Sequence, residues 1–425
     1  MLKSILDINR WKNSLVARNG LYISISHVVT IILGLVNTMV IARYLGVELY
    51  GRLGYYTATI SILSVFIELG VDLYYIVRIS KDRANISKYF SMNVISRLVM
   101  TGVMTGVFYM LISASGKADG YIIPTILWVT FVMQNYIKVP RVCYQANEDM
   151  HFTAIYDVLD YVLLLIAALF LILLGPKGMK LELMALAYLV SRGLTLYFTG
   201  ATAVKKYGLK LQKVDFGEML DFIKSGSPLL VNSIMTLIVS QVDIMMVNAF
   251  MGDIQTGYYN AVKKIVMNLL VFPSVFAAVL LPRMSNKTMK DENASIVLKI
   301  NFAAGFAVLL AIMLFAKIGM LLIFGKEFLP AYSILLIFGF GMPMSYASYY
   351  TGVYLVANEM QKHVLLYNTI GAGVNVAANF ILIPMYQASG AAYGSLISTF
   401  VVFAFSMYYY IKTSRKNREM EISGH

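Results

Sequence analysis

The chain has 425 residues, 59% of them hydrophobic and only 13% charged, and 35 Lys and Arg against 22 Asp and Glu give a formal charge of +13. Soluble domains carry about 45–50% apolar residues with glycine included and roughly 25% charged ones, so a water-soluble enzyme, a disordered chain and a secreted disulfide scaffold all fit poorly. One cysteine, Cys143, rules out an internal disulfide and a cysteine-cluster metal site, and the four histidines form no His-x-x-x-His pair.

A helix needs about 20 mostly apolar residues to cross the hydrocarbon of a bilayer. In chain order such segments fall at 20–42, 53–77, 89–113, 121–143, 154–174, 183–204, 227–250, 258–282, 298–323, 331–357, 364–384 and 391–411. These blocks are too long and continuous for the alternating strands of a β-barrel. The first block is too long for a signal-peptide core and is expected to be retained. The fold class is therefore an all-α polytopic membrane protein with about twelve transmembrane helices.

With the N-terminus in the cytoplasm, twenty-four Lys and Arg fall on inner segments. They include Lys3, Arg10 and Lys12, then Lys138 and Arg141, the run Lys205 to Lys224, the loop with Arg283, Lys287 and Lys290, and the tail from Lys412. The outer side holds six, Arg43, Arg52, Lys117, Lys177, Lys180 and Lys326. This bias puts both termini in the cytoplasm. It also assigns the positive charge to loops facing anionic lipid rather than to nucleic-acid binding.

Two short echoes divide the chain. "ARYLGVELYG" at 42–51 aligns with "NAFMGDIQTG" at 248–257, matching Gly46 with Gly252 and Gly51 with Gly257. Ala146-Asn147-Glu148 aligns with Ala357-Asn358-Glu359. The expected organisation is an N-terminal six-helix bundle at 1–204, a basic cytoplasmic linker at 205–226, a C-terminal six-helix bundle at 227–411 and a cytoplasmic tail at 412–425. Six spans per half is even, so the halves should be related by an axis along the membrane normal. The linker is either a solvated charge run or a surface helix, since Phe216, Leu220 and Ile223 recur at helical spacing beside Lys213 and Lys224. Duplication of this kind is typical of alternating-access transporters.

Ionisable groups inside spans rarely face lipid and are functional candidates. The cations are Arg97, Arg192 and Lys263, with Lys264 and Lys317 beside them; the acids are Glu68, Asp72, Asp157, Asp160 and Asp243. Glu68 and Asp72, four apart, are expected on one helical face. Each of these groups is either half of a structural ion pair or part of a water-filled cavity. In a cavity, Arg97, Arg192 and Lys263 would attract an anionic head group, and Glu68, Asp72 and Asp243 would balance charge or bind a coupling proton or sodium ion. The tyrosine runs at 55–56, 74–75, 258–259, 349–350 and 408–410 are expected as interfacial anchors. Gly102, Gly106, Gly371 and Gly373 are expected as close-packing sites. Pro228, Pro273 and Pro343 are candidate kinks.

The sequence resembles the polysaccharide and O-antigen flippases, lipid-linked oligosaccharide exporters of the multidrug/oligosaccharidyl-lipid/polysaccharide exporter superfamily. The resemblance rests on Arg43-Tyr44-Leu45-Gly46 leading to Tyr50-Gly51, on "SQVDIMMVNAFMGDIQTGYYNAVKKI" at 240–265, on "FGKEFLPAYSILLIFG" at 324–339 and on "GVNVAANFILIPMYQASGAAYGSLIS" at 373–398. It implies two six-helix bundles around a cavity and movement of an undecaprenyl-diphosphate-linked oligosaccharide to the outer leaflet. It adds Arg43 to the substrate-binding candidates. It further implies a bacterial plasma (inner) membrane location, function as a monomer among membrane lipids beside polysaccharide polymerase and chain-length machinery, no cofactor and no metal, and coupling to a proton or sodium gradient.

A multidrug extruder and a peptidoglycan-precursor flippase of the same superfamily are the alternatives. The extruder would favour a cavity dominated by carboxylates; the precursor flippase handles a similar lipid but often has more spans. An integral glycosyltransferase would need a sizeable catalytic loop, whereas the longest inner loop, 205–226, is about 22 residues, so no enzyme activity is expected.

Overall fold

The computed structural model describes residues 15–114, 121–176, 178–273 and 291–423. The basic positions Lys3, Arg10, Lys12, Lys117, Lys177, Arg283, Lys287 and Lys290, and His425, lie outside them. The described residues are almost entirely α-helical. In order the helices are α1 (Leu15–Glu68), α2 (Asp72–Lys81), α3 (Ile86–Ala114), α4 (Ile122–Ala146), α5 (Met150–Leu174), α6 (Lys180–Tyr207), α7 (Phe216–Leu269), α8 (Asp291–Ile323), α9 (Tyr332–Ala357), α10 (Gln361–Tyr386) and α11 (Ala388–Ser423). Among the described residues nine helical stretches are long and apolar enough to cross a membrane. Their outward faces carry large apolar side chains such as Met110, Leu173 and Leu314, each more than 70% exposed, which a protein in water would bury. The chain is an all-α, multi-pass membrane protein.

The expected loops after the first and seventh spans are absent. Each is replaced by one glycine inside a 54-residue helix: Gly46 in α1 has φ 74° and Gly252 in α7 has φ 76°. Positive φ is open to glycine at little cost, so a single non-helical residue kinks the chain between two helical segments at each place. Five residues after each bend stands a second glycine. A Cβ on Gly51 would lie 1.9 Å from the Asp253 carbonyl oxygen, and one on Gly257 would lie 2.1 Å from that of Val47. The echo detected in the sequence is thus a repeated bend followed by a repeated close approach. The second echo is a repeated turn: Glu148 and Glu359 both have φ 61°, and Asn147 and Asn358 donate their side-chain amides to the carbonyls of Cys143 and Tyr354, at 2.8 and 2.9 Å.

The chain forms two compact units. Unit 1 comprises residues 1–45 and 56–241; unit 2 comprises 46–55 and 242–425. Residues just after the first bend therefore pack with unit 2, although α1 begins and ends in unit 1. Unit 1 has an apolar core of Tyr75, Met92, Cys143, Tyr144 and Phe222. Within unit 2, Tyr350, Tyr354 and Tyr410 close around Ala294.

Several local expectations change. Glu68 and Asp72 are not on one helical face, because Leu69 and Gly70 adopt φ 56° and 66° and break the helix between them. A Cβ on Gly70 would lie 2.4 Å from the Leu230 backbone nitrogen, so the break lets α7 approach. The linker is shorter than 205–226: α6 continues to Tyr207, Gly208 ends it in the left-handed conformation, and α7 starts at Phe216. Of the four glycines expected in close packing, only Gly371 is closely packed, against Val402; Gly102, Gly106 and Gly373 face open space. The tyrosine runs are not uniformly interfacial, since Tyr75, Tyr259, Tyr350 and Tyr410 are buried.

Candidate substrate-binding site

Unit 1 contains a cavity of about 260 Å³, lined by His27 and Thr30 of α1, Gln134, Ile137, Lys138 and Arg141 of α4, Asp157, Asp160 and Tyr161 of α5, and Arg192 of α6. The α4 positions recur at intervals of three and four, which places them on one helical face, and so do those of α5. The turn at 147–149 folds these two helices back on each other, with the Asp149 amide bonded to the Tyr144 carbonyl at 2.9 Å. Two asparagines tie α1 to the α4–α5 pair: Asn19 donates to the Glu148 carbonyl at 2.8 Å and Asn37 to the Tyr161 carbonyl at 2.9 Å.

Each cation of the cavity has a carboxylate partner. Arg141 pairs with Asp157 at 2.7 Å, Arg192 pairs with Asp160, and Lys138 pairs with Glu68. Asp160 is held twice, because Thr195 also donates to its Oδ1 at 3.1 Å. The pairing is incomplete: Nε of Arg141 and Nε of Arg192 are buried with no hydrogen-bond partner. A buried donor without an acceptor is costly, and two of them on one cavity suit an oxyanion that brings several acceptors at once.

The sequence candidates separate into distinct places. Arg192 lines the cavity, and Glu68 reaches it through Lys138. Arg97 does not line it. It is fully buried among Asp72, Asn93 and Asn135, with Nε donating to Asn93 Oδ1 and Nη1 to the Asn135 carbonyl, both at 2.8 Å, and Nη2 to Asp72. Every side of that guanidinium is occupied, as in a structural ion pair. Arg43 is exposed on α1 three residues before the bend, outside the cavity lining. Lys264 and Lys317 are exposed on their helices.

Lys263 and Asp243 belong to unit 2, in a second buried polar cluster. Tyr259 and Asn379 each donate to the Asp243 carboxylate at 2.8 Å, and Ser395 and Lys263 stand 3.4 Å from it. Asn379 also bonds to Asn375, at 3.3 Å, while its Oδ1 is buried without a partner. Lys263 lies over the Tyr259 ring, 5.5 Å from its centre.

Sequence reasoning missed Lys138, Arg141 and His27 as cavity residues and named Asp157 and Asp160 only as span charges. A signal was available. Lys138 and Arg141 are three apart, Asp157 and Asp160 are three apart, and a tight turn joins their helices, so opposite charges meet across the pair.

Residues 16–288 match the family described as Polysaccharide biosynthesis protein. The chain belongs to that family. It is 23% identical over 414 residues to a capsular polysaccharide biosynthesis protein, CapF, of Staphylococcus aureus, covering 93% of this chain and 99% of that one. Its fold is that of the multidrug/oligosaccharidyl-lipid/polysaccharide exporter superfamily. An inward-facing multidrug resistance transporter of the MATE family superposes with a TM-score of 0.78 at 16% identity, covering 92% of this chain and 96% of that one. The lipid II flippase MurJ superposes with a TM-score of 0.73 at 16% identity, covering 94% and 91%. The chain is thus a multi-pass membrane protein of the polysaccharide biosynthesis family with the fold of these transporters.

Proposed function

We propose that this family member moves an undecaprenyl-diphosphate-linked oligosaccharide from the cytoplasmic to the outer leaflet of the bacterial plasma membrane, by alternating access, for surface polysaccharide assembly. The observation that carries this reading is the pair of buried, unpartnered guanidinium donors of Arg141 and Arg192 in the unit 1 cavity. The cavity is below the roughly 300–1,000 Å³ typical of drug-sized ligand sites. It suits a phosphorylated head group, leaving the sugar and the lipid tail elsewhere. The similarity to the Staphylococcus aureus protein of capsular polysaccharide biosynthesis supports a surface polysaccharide as the product.

In this reading α1 and α7 each provide two spans, one on either side of the bend, and α2 extends the second. The chain then has twelve spans in two six-helix bundles, with both termini cytoplasmic. The cavity lies toward the cytoplasmic ends of α4 and α5, where a substrate made in the cytoplasm would load. Arg192 binds the head group; Glu68 and Asp72 balance Lys138 and Arg97. Asp243 couples transport to a proton or sodium gradient, a role supported by the unmet Asn379 oxygen beside it, with Lys263 as its resident counter-ion. The protein acts as a monomer among membrane lipids and hands its product to polymerase and chain-length machinery.

A second reading is favoured by the fold likenesses: a peptidoglycan-precursor flippase or a drug extruder, the activities for which the two superposed transporters are named. Asp157 and Asp160 would serve a cationic drug. The test is translocation in vesicles reconstituted with the purified protein. Lipid-linked oligosaccharide should change leaflet, whereas a cationic dye should not be moved. Movement of the dye alone would select the extruder, and movement of a lipid-linked disaccharide-peptide alone would select the precursor flippase.

A further inference from the structure

The three ion pairs at the unit 1 cavity are not equivalent. Asp160 is anchored from two sides, by Arg192 and by the Thr195 hydroxyl, and its own carbonyl accepts from Ser191 at 3.0 Å. Lys138 and Glu68 are paired beside the cavity, with Glu68 outside its lining. Asp157 faces the cavity with the Arg141 guanidinium as its ion-pair partner and His27 as the other basic group acting on it. Among the described residues no hydroxyl or amide is bonded to its carboxylate. Arg141 in turn keeps its Nε unpartnered while one Nη holds Asp157. A guanidinium offers five donors in a planar fork and binds oxyanions through two of them at once. Arg141 therefore holds Asp157 through part of its fork, and a ligand that took both edges would have to take the place of the carboxylate.

We propose that Asp157 is an internal counter-anion: it occupies Arg141 in the empty protein and is displaced by the phosphate oxygens of the substrate, while Asp160, tied by Thr195, stays on Arg192 and holds that side chain in place. This rests on the anion-binding role given to the cavity above. The physical consequence is that the site competes with itself. A bare pair of buried arginines would cost a large desolvation penalty when empty and would hold a diphosphate too firmly to release it. A carboxylate on a neighbouring helix removes the first difficulty, and by returning to Arg141 it favours release. Asp157 lies about two turns after the start of α5 and has room to rotate into the cavity it lines. Its displacement leaves a carboxylate facing the same space as the bound phosphate, and that repulsion lowers affinity.

The test uses the full-length protein in detergent and inorganic pyrophosphate as the probe, with binding followed by calorimetry and by the shift in thermal unfolding. Wild type should bind, and Arg141→Ala and Arg192→Ala should each weaken binding by at least about tenfold. Asp157→Asn removes the competing charge and should bind pyrophosphate more tightly, on the order of tenfold. Asp157→Ser, which also lacks the charge but packs differently, should do the same. Asp160→Asn should not tighten binding, because it loosens Arg192. Unchanged or weaker binding by both Asp157 variants, with the arginine dependence intact, would overturn the counter-anion role and leave the anion site standing. Absence of wild-type binding, or binding indifferent to both arginines, would overturn the site itself.

Discussion

The two polar clusters have similar ingredients, carboxylates and cations buried between apolar helices, yet their unmet groups have opposite sign. Among the described residues, the side chains of the unit 1 ion pairs leave only donors without partners, Nε of Arg141 and Nε of Arg192. In the unit 2 cluster the unpartnered group among the described residues is an acceptor, Oδ1 of Asn379, whose own Nδ2 donates to the Asp243 carboxylate that Tyr259 also holds. Unmet donors invite an anion and unmet acceptors a cation. Charge counting alone hides this, since both clusters contain Asp and a basic residue. The pattern of hydrogen bonding, not composition, separates the proposed substrate pocket from the proposed coupling site.

The comparison sharpens first at Arg97, the fully partnered cation of unit 1. Arg97→Ala leaves the half-buried Asp72 without its guanidinium and empties a fully buried site, and should destabilise by about 3 kcal/mol. The protein should be lost from the membrane fraction or unfold far earlier in detergent. Arg192→Ala, at an open and under-satisfied site, should fold and lose transport instead. Equal loss of folding in both would erase the distinction between closed and open clusters.

Asp243→Asn probes the other side. It keeps the shape and one acceptor while removing the charge, so it should cost about 1–3 kcal/mol in thermal unfolding. It should also abolish any dependence of translocation on an imposed sodium or proton gradient, with pyrophosphate binding unchanged. A fall in pyrophosphate affinity would show that the clusters are not separate in function.

Gly257→Ala tests the repeated close approach behind the bends. Its Cβ would meet the Val47 carbonyl at 2.1 Å, an overpacking that typically costs about 1–3 kcal/mol. Gly102→Ala, whose Cβ would face open space, should be neutral or slightly stabilising in the same unfolding measurement.

The smallest effect concerns pH and the α4–α5 turn that shapes the cavity. Burial works to raise the Asp149 pKa, but hydrogen bonds from Lys206 and Tyr207, at 2.8 and 2.6 Å, outweigh it and hold the carboxyl below its ordinary value. Its contribution is complete above the ordinary carboxylate range, near pH 4, and is lost as pH falls through the lowered value. Below about 1 kcal/mol is expected for so accessible a pair. Unfolding of wild type and Asp149→Asn should therefore differ at pH 6, and the difference should shrink as the pH falls below the ordinary carboxylate range.

Much of the fold was legible because apolar length is a strong signal. The two echoes were legible too, and both correspond to repeated backbone geometry. The bends themselves were not, since hydropathy falls at Gly46 and Gly252 as it would at a loop. The break at Leu69–Gly70 was missed because one glycine between apolar residues carries no periodic signature, and with it went the shared face of Glu68 and Asp72. At the site, Arg192 stood out as a cation far from either end of its span. Lys138 and Arg141 did not, because cations near a span end resemble snorkelling side chains. Only their spacing against Asp157 and Asp160 distinguishes them. Arg97 misled for the converse reason: depth in a span says that a charge is costly, not whether its partners leave it free.

The most direct test compares two double variants in reconstituted vesicles carrying lipid-linked oligosaccharide. Arg141→Ala with Arg192→Ala should abolish leaflet translocation, while Asp243→Asn with Lys263→Met should retain downhill translocation and lose only its response to an ion gradient. Translocation surviving without the two arginines, and failing without the unit 2 pair, would contradict the account.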